Sequence, residues 1–134
     1  MTAAKAKPRT RRVAPPAPAI GDELERVFAV VARHFGILSE PTRLKILHTI
    51  CMEERSVSAV VAATGATQTN VSRHLALMLQ AGVVSRRRDG NTVFYRVCDP
   101  EFVEICRSVC LQIAGRMDEQ KPLKKDLLHF AAQH

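Results

Sequence analysis

Hydrophobic residues recur every three or four positions over residues 22–35 and again over 41–52, which is the spacing of one helix face. We therefore predict a first helix over 22–35, ended by Gly36, and a second helix that runs to about Met52. Ser39 is the predicted cap of the second helix, with Pro41 in its first turn. The predicted buried positions of the second helix are Leu44, Leu47, Ile50 and Cys51.

The pattern changes between residues 56 and 97. A short third helix is predicted over about 58–63, followed by a tight turn at 64–66. Thr67 is expected to cap a fourth helix that ends at Gly82. β-Branched and aromatic residues predict strands over 83–87 and 92–97, joined by a hairpin turn at Asp89 and Gly90. Two helices joined through a turn and followed by a hairpin predict a mainly α fold, the winged helix-turn-helix.

The remaining segments complete the predicted organisation. Asp99 is expected to cap a fifth helix, with Pro100 at its first position, that runs to about Asp118. Residues 121–134 have the spacing of a short amphipathic helix. The predicted organisation is a disordered basic tail over 1–21, one domain over 22–118 and a C-terminal tail over 119–134.

Charge and composition narrow the function. The chain has 134 residues and a net charge of +7, and residues 1–21 contain five basic and no acidic residues. Such a balance favours nucleic acid as a partner. No apolar run reaches the roughly 18 residues of a membrane span, and no secretory signal is evident, so we expect no membrane partner and a cytoplasmic protein with reduced thiols. Phosphate-binding loops and metal-hydrolase motifs are missing from the sequence, so an enzyme is not expected.

The fourth helix and the hairpin have the side chains that binding double-stranded DNA requires. Short polar residues at a helix N-terminus reach base edges and phosphates in the major groove, and basic residues of a hairpin reach the backbone or the minor groove. The predicted contacts are Gln68, Thr69, Asn70, Ser72, Arg73 and His74 of the helix, and Arg86, Arg87, Arg88 and Arg96 of the hairpin. The alternatives are an ordinary amphipathic helix, a solubilising turn, and a packed His74 that never touches DNA.

Three segments together resemble the ArsR/SmtB family of bacterial winged-helix repressors. They are LSEPTRLKIL (38–47), VSRHLALMLQAGVV (71–84) and SRRRDGNTVFYRV (85–97), and the resemblance covers about residues 24–117. It implies a homodimer packed through the first and last helices, bound to a palindromic operator and released by an inducer. Leu79 and Gln80 stand where many relatives have basic residues, so the basic tail is a candidate for additional phosphate contacts.

The same resemblance suggests where an inducer would bind. A helix-3 thiolate site would need cysteines near Ser56 and Ser58, and a helix-5 zinc or nickel site would need histidines near Glu101 and Gln112, so neither is expected. The four cysteines remain, namely Cys51, Cys98, Cys106 and Cys110. Cys106 and Cys110 are four residues apart and therefore share a helix face.

Three interpretations of these cysteines compete. In the first, Cys98, Cys106 and Cys110 bind a soft metal or metalloid ion, such as arsenite, copper(I) or cadmium. In the second, Cys51 forms a reversible disulfide or polysulfide link with Cys106 or Cys110, although the thiol-switch branch of the family has its helix-2 cysteine where this chain has His48. In the third, the cysteines are small hydrophobic residues of the core. We favour the first over the second. A non-specific architectural DNA-binding protein that needs no inducer is the remaining alternative function.

Overall fold

The computed structural model describes residues 11–133. Residues 1–10 of the predicted tail and His134 lie outside the described residues, and residues 11–20 contain neither helix nor strand. The elements are α1 (Asp22–Ile37), α2 (Pro41–Ile50), β1 (Arg55–Ser56), α3 (Val57–Thr64), α4 (Gln68–Gln80), β2 (Val84–Asp89), β3 (Thr92–Val97), α5 (Glu101–Ala114) and α6 (Pro122–Ala132). The predicted winged helix-turn-helix is confirmed. No helix within 11–133 is long and apolar enough to cross a membrane.

The junction between α1 and α2 differs from the prediction. α1 extends two residues past Phe35, and α2 ends at Ile50 rather than near Met52. Glu40 caps α2, because its Oε2 accepts a hydrogen bond from the Arg43 backbone N–H at 2.9 Å. The Ser39 hydroxyl instead donates to the Gly36 carbonyl oxygen at 2.7 Å and so belongs to the end of α1.

The helix-turn-helix follows the predicted chemistry. Ser56 caps α3 by accepting from the Ala59 N–H at 3.2 Å, and α3 ends at Gly65, which has a left-handed φ of 70°. Thr67 caps α4 by accepting from the Asn70 N–H at 3.2 Å. Gly82 follows α4 with a φ of 79°, a conformation that residues with a Cβ rarely adopt, and turns the chain into β2.

The sheet has the strand order β1-β3-β2 and is antiparallel throughout. Asp89 pairs with Thr92, so the turn consists of Gly90 and Asn91, one residue later than predicted. β1 was not predicted, because two residues are too few for an alternating pattern. It pairs with β3 and thereby joins the hairpin to the start of α3.

The core lies between α2, α3 and α4, where side chains such as Ile46, Val60 and Leu75 are fully buried. Two residues that we predict to be buried at the second helix are less buried than expected, since Leu44 is 37% exposed and Cys51 is half-buried. In α4, Leu79 is half-buried and packs against this core. α5 ends at Ala114, four residues before the predicted Asp118, and the expected C-terminal helix forms as α6 and packs along α5.

Helix α1 exposes the face that its sequence pattern marks as apolar. The exposed apolar residues of this stripe are Leu24, Val27, Phe28, Val31 and Phe35, each between 44% and 56% exposed. Contiguous exposed apolar surface of this kind marks an interaction site.

Candidate nucleic-acid interface and thiol cavity

The first two turns of α4 present a polar face to solvent. The exposed residues of this face are Gln68, Thr69, Asn70, Ser72 and Arg73. The opposite face is anchored, since Val71, Leu75 and Met78 are fully buried. Arg73 donates from Nη2 to the Asn70 Oδ1 at 2.8 Å, which holds both side chains on the same surface. The result is a rigidly seated helix with short polar groups at its N-terminal end, the arrangement that fits a major groove.

His74 is separate from this polar face. It is only 7% exposed, and its Nδ1 lies 3.3 Å from the Arg43 Nη1. Its Nε2 lies 3.7 Å from the Glu40 carboxylate. Its burial contradicts the prediction of a DNA contact and favours the alternative of a packed helix residue. Burial acts to raise the pKa of Glu40, but hydrogen bonds from the Arg43 and Thr42 N–H groups bring that pKa below its usual value.

The hairpin arginines fall into two groups. Arg87 donates to both carboxylate oxygens of Glu54, at 3.2 and 2.5 Å, and its guanidinium lies 4.8 Å from the ring centroid of Phe94. The Arg87 hydrogen bond lowers the pKa of Glu54, and the same bond raises the pKa of Arg87. Arg87 therefore fastens the wing to the segment before β1. No sequence pattern indicates this role of Glu54, because an acidic residue in a loop has no periodicity that would predict its partner.

The other hairpin arginines remain directed to the surface. Arg86 and Arg88 are exposed and form no ion pair with any residue in the described range 11–133. Arg96 is exposed as well and donates from Nε to the Ser85 hydroxyl at 3.2 Å. Unlike Arg87, these three guanidinium groups form no ion pair with a carboxylate of the described residues.

Three of the four cysteines line one cavity. Cys51, Cys106 and Cys110 border a space of about 270 Å³ between α2, α5 and α6. Cys51 donates from Sγ to the His48 carbonyl oxygen at 3.2 Å, and the His48 ring lies 5.1 Å from that of Phe130 in α6. His48 and Phe130 line the same cavity, so the α2 and α6 walls of the space meet at these two rings.

Cys98 lies elsewhere. It is exposed at the end of β3, where its Sγ donates to the Gly82 carbonyl oxygen at 3.2 Å, and it does not line the cavity. No group of three His, Cys, Asp or Glu residues within 11–133 has a geometry that could hold a metal ion. The predicted three-thiolate set of Cys98, Cys106 and Cys110 is therefore not assembled, because β3 carries Cys98 toward the end of α4.

Burial sets the protonation of the cavity thiols. It raises the pKa of Cys51, Cys106 and Cys110, and for Cys106 the neighbouring Cys110 raises the pKa further. That mutual effect reflects the closeness of two thiols one helical turn apart. At neutral pH these thiols are protonated, so a ligand or electrophile that bonds to them must displace a proton.

Comparisons with known proteins agree with this architecture. The family described as "Bacterial regulatory protein, arsR family" matches residues 40–86. A probable mercury resistance operon repressor of Streptomyces lividans is 39% identical over 90 residues, covering 65% of this chain and 72% of the relative. The crystal structure of NolR from Sinorhizobium fredii has a TM-score of 0.66 at 26% identity, covering 69% of this chain and 93% of NolR. A homodimeric winged helix-turn-helix DNA-binding domain from Mycobacterium bovis has a TM-score of 0.58 at 27% identity, covering 74% of this chain and 90% of that domain.

Proposed function

The chain belongs to the arsR family of bacterial regulatory proteins, and from that premise we propose that it is a homodimeric repressor released from its operator by chemistry at cavity thiols. The family consists of transcriptional regulators, so the protein is a DNA-binding regulator rather than an enzyme. The operator, the dimer and the inducer are the parts that we propose.

The N-terminal half of α4 is the proposed reader of bases. Gln68, Asn70 and Arg73 have side chains that can pair with base edges in the major groove. Thr69 and Ser72 are short hydroxyl residues suited to phosphates beside the helix N-terminus. Selection of binding sites from a randomised duplex library tests this role. An enriched motif with a high affinity ratio over random DNA at fixed salt supports it, whereas a ratio near one indicates an architectural protein.

Helix α1 is the proposed dimer surface, together with α5. Its exposed apolar stripe needs a partner, and the exposed Leu111 of α5, which does not line the thiol cavity, offers further apolar area. A two-fold dimer would place two copies of α4 in major grooves about one helical turn apart, which requires a palindromic site.

The cavity thiols are the proposed sensor, carried by one observation: Cys106 and Cys110 share a helix face and border the same cavity as Cys51. A soft ion that accepts two thiolates fits such a pair. The Streptomyces lividans relative is named for mercury resistance, which makes mercury(II) the first ion to test. A ligand that draws α5 toward α2 would change the free energy of DNA binding, and a coupling of about 1–3 kcal/mol would lower operator affinity roughly 5–150-fold.

An anaerobic titration of the reduced protein tests this sensor. Mercury(II), cadmium, copper(I) and arsenite are added in turn while thiolate absorption, free thiols and the anisotropy of labelled operator are followed. We expect one ion to consume two or three thiols per protomer and release the operator. Cys106→Ser should abolish release, whereas Cys98→Ser, the matched control outside the cavity, should leave it intact. Equal loss in both variants would contradict the assignment.

A reversible link between Cys51 and Cys106 or Cys110 is the second candidate, favoured because α2 brings Cys51 to the same cavity from the opposite side. Treatment with diamide or an inorganic polysulfide, followed by peptide mass spectrometry, identifies such a link. A Cys51 cross-link that forms as the operator is released, without any added metal, would select this mechanism over ion binding.

A further inference from the structure

The walls of the thiol cavity are almost entirely hydrocarbon. Of its thirteen lining residues, nine have hydrocarbon side chains, three are cysteines and one is His48; none is Asp, Glu, Lys or Arg. An ion that enters such a space loses its hydration, and it gains compensating charge only where a thiol gives up its proton. The lining of the cavity therefore favours an uncharged ligand.

The cavity is also larger than an ion requires. Its volume of about 270 Å³ exceeds the roughly 150 Å³ of an engineered apolar cavity that binds benzene. All of its lining residues come from one copy of the chain, and α1 contributes none of them. A partner copy that packs on the apolar stripe of α1 therefore does not need these walls.

We propose that this cavity binds a neutral, mainly hydrocarbon molecule that has a thiol-reactive soft atom, and that the hydrocarbon part selects the ligand. The proposal rests on the proposed function in one respect, because it names the inducer class of the same thiols. The walls formed by Val103, Ile105 and Leu127 hold the apolar part, and Cys106 or Cys110 bonds the reactive atom. The protonated state of these thiols matches a neutral ligand, since no charge is buried before the reaction.

Alkyl methanethiosulfonates provide probes in which only the transferred group changes. The thiolate sulfur attacks the sulfenyl sulfur, a protein–S–S–R bond forms, the S–SO₂ bond breaks, and methanesulfinate leaves with the electron pair. The thiol proton passes to solvent. The transferred group R is benzyl, sulfonatoethyl or trimethylammonioethyl, which is respectively neutral, anionic or cationic.

The experiment measures the modification rate of each cysteine by peptide mass spectrometry, with exposed Cys98 as the internal reference. For the benzyl reagent we expect the rate at Cys106 and Cys110 to saturate with concentration. The ratio of the rate at Cys106 or Cys110 to the rate at Cys98 should be about tenfold or more higher for the benzyl reagent than for either charged reagent. A charged group that enters an apolar cavity loses its hydration without a compensating interaction. Toluene, an unreactive analogue, should protect Cys106 and leave Cys98 unprotected.

Two variants of α6 distinguish ligand binding in the cavity from an effect of thiol burial alone on the modification rates. Leu127→Glu places a carboxylate in the cavity wall and should slow the benzyl reagent while accelerating the cationic one. Leu123→Glu makes the same change at an exposed residue outside the cavity and should alter neither rate. Should Leu127→Glu fail to fold, the toluene protection of the unsubstituted protein decides the question.

The outcomes distinguish this inference from the proposed function. Rates that rise linearly without saturation, together with no protection by toluene, would overturn the cavity as a binding site. Saturable, protected modification that leaves operator binding intact would support the ligand site and overturn thiol-controlled repression. Saturable modification accompanied by operator release would support both.

Discussion

Arg43 of α2 donates from Nη1 to the Nδ1 of His74 in α4 over 3.3 Å, and the same guanidinium donates to the carbonyl oxygens of Gly36 and Ile37, both at 2.8 Å. Because a guanidinium can only donate, Nδ1 must accept, and a neutral ring then has its proton on Nε2, which faces Glu40. One side chain thus joins the end of α1 to the helix that we assign to base recognition.

Arg43→Met should weaken both folding and operator binding. It leaves the buried His74 Nδ1 and the last α1 carbonyls without a donor, which costs about 1–3 kcal/mol of unfolding free energy. Urea denaturation and operator titration measure the two effects. The control is Arg73→Met on the exposed face of α4, for which we expect lower operator affinity but a stability change within about 0.5 kcal/mol. Unaltered stability in Arg43→Met would refute the role of this contact.

The wing arginines should separate by salt dependence. Arg88→Ala removes an exposed cation and should reduce the slope of log affinity against log salt by about one, as expected for one lost phosphate contact. Arg87→Ala should leave that slope nearly unchanged, because Glu54 already occupies its guanidinium. Anisotropy titrations between low and moderate salt measure both slopes. A larger slope change for Arg87 than for Arg88 would reverse the assignment.

The cavity thiols should make folding less stable at high pH. Burial raises the pKa of Cys51, Cys106 and Cys110, so the unfolded chain loses these protons first, starting near the ordinary thiol pKa of about 8.5. The unfolded state then binds fewer protons, and stability falls as pH rises above that value. The stability difference between the wild type and a variant with all three cysteines replaced by Ala should change between pH 7 and 10.

The control for that titration is Val109→Ala, which alters the cavity wall without removing a titrating group. Its stability difference from the wild type should stay constant over the same pH range. A triple variant that also shows a constant difference would mean that the three thiols titrate alike in the folded and unfolded chains.

The α1 stripe should control assembly. Phe28→Glu places a carboxylate in the centre of the exposed apolar face, where Phe28 is 50% exposed. We expect monomers in sedimentation velocity and loss of operator binding at concentrations where the wild type is dimeric. Ala29→Glu, about 100° around the helix from Phe28 and outside the apolar stripe, should remain dimeric. Dimers in both variants would exclude α1 from the interface.

Most helices and strands could be predicted from local sequence patterns, because caps, turn residues and hydrophobic spacing involve residues that are close together in the chain. Thr67 and Gly82 define α4 through a side-chain cap and a left-handed turn, and both are readable without tertiary contacts. A prediction is wrong where two adjacent residues can both form the same cap. Ser39 and Glu40 can each cap α2, and only the placement of α1 decides that Ser39 bonds to Gly36 instead.

The candidate site was less predictable, because it depends on which side chains the fold brings together. The spacing of four residues predicts that Cys106 and Cys110 share one helix face, but no local pattern indicates that Cys98 lies beside Gly82 at the end of β3. In the same way, Arg43 stood within the family-like segment 38–47 with no sign that it would reach His74 in α4. Pairing between distant segments follows from the packed core rather than from periodicity.

The exposed stripe of α1 also bears on how the cell would control the amount of this regulator. If α1 forms the proposed dimer surface, a newly made chain displays Phe28 and Phe35 to the surrounding proteins until it finds a second copy. Quality-control proteases favour chains with such surfaces, so we expect unpaired copies to turn over faster than paired ones. Lifetime would then rise with abundance, and a pulse-chase comparison of the wild type with Phe28→Glu at equal synthesis rates would reveal whether it does.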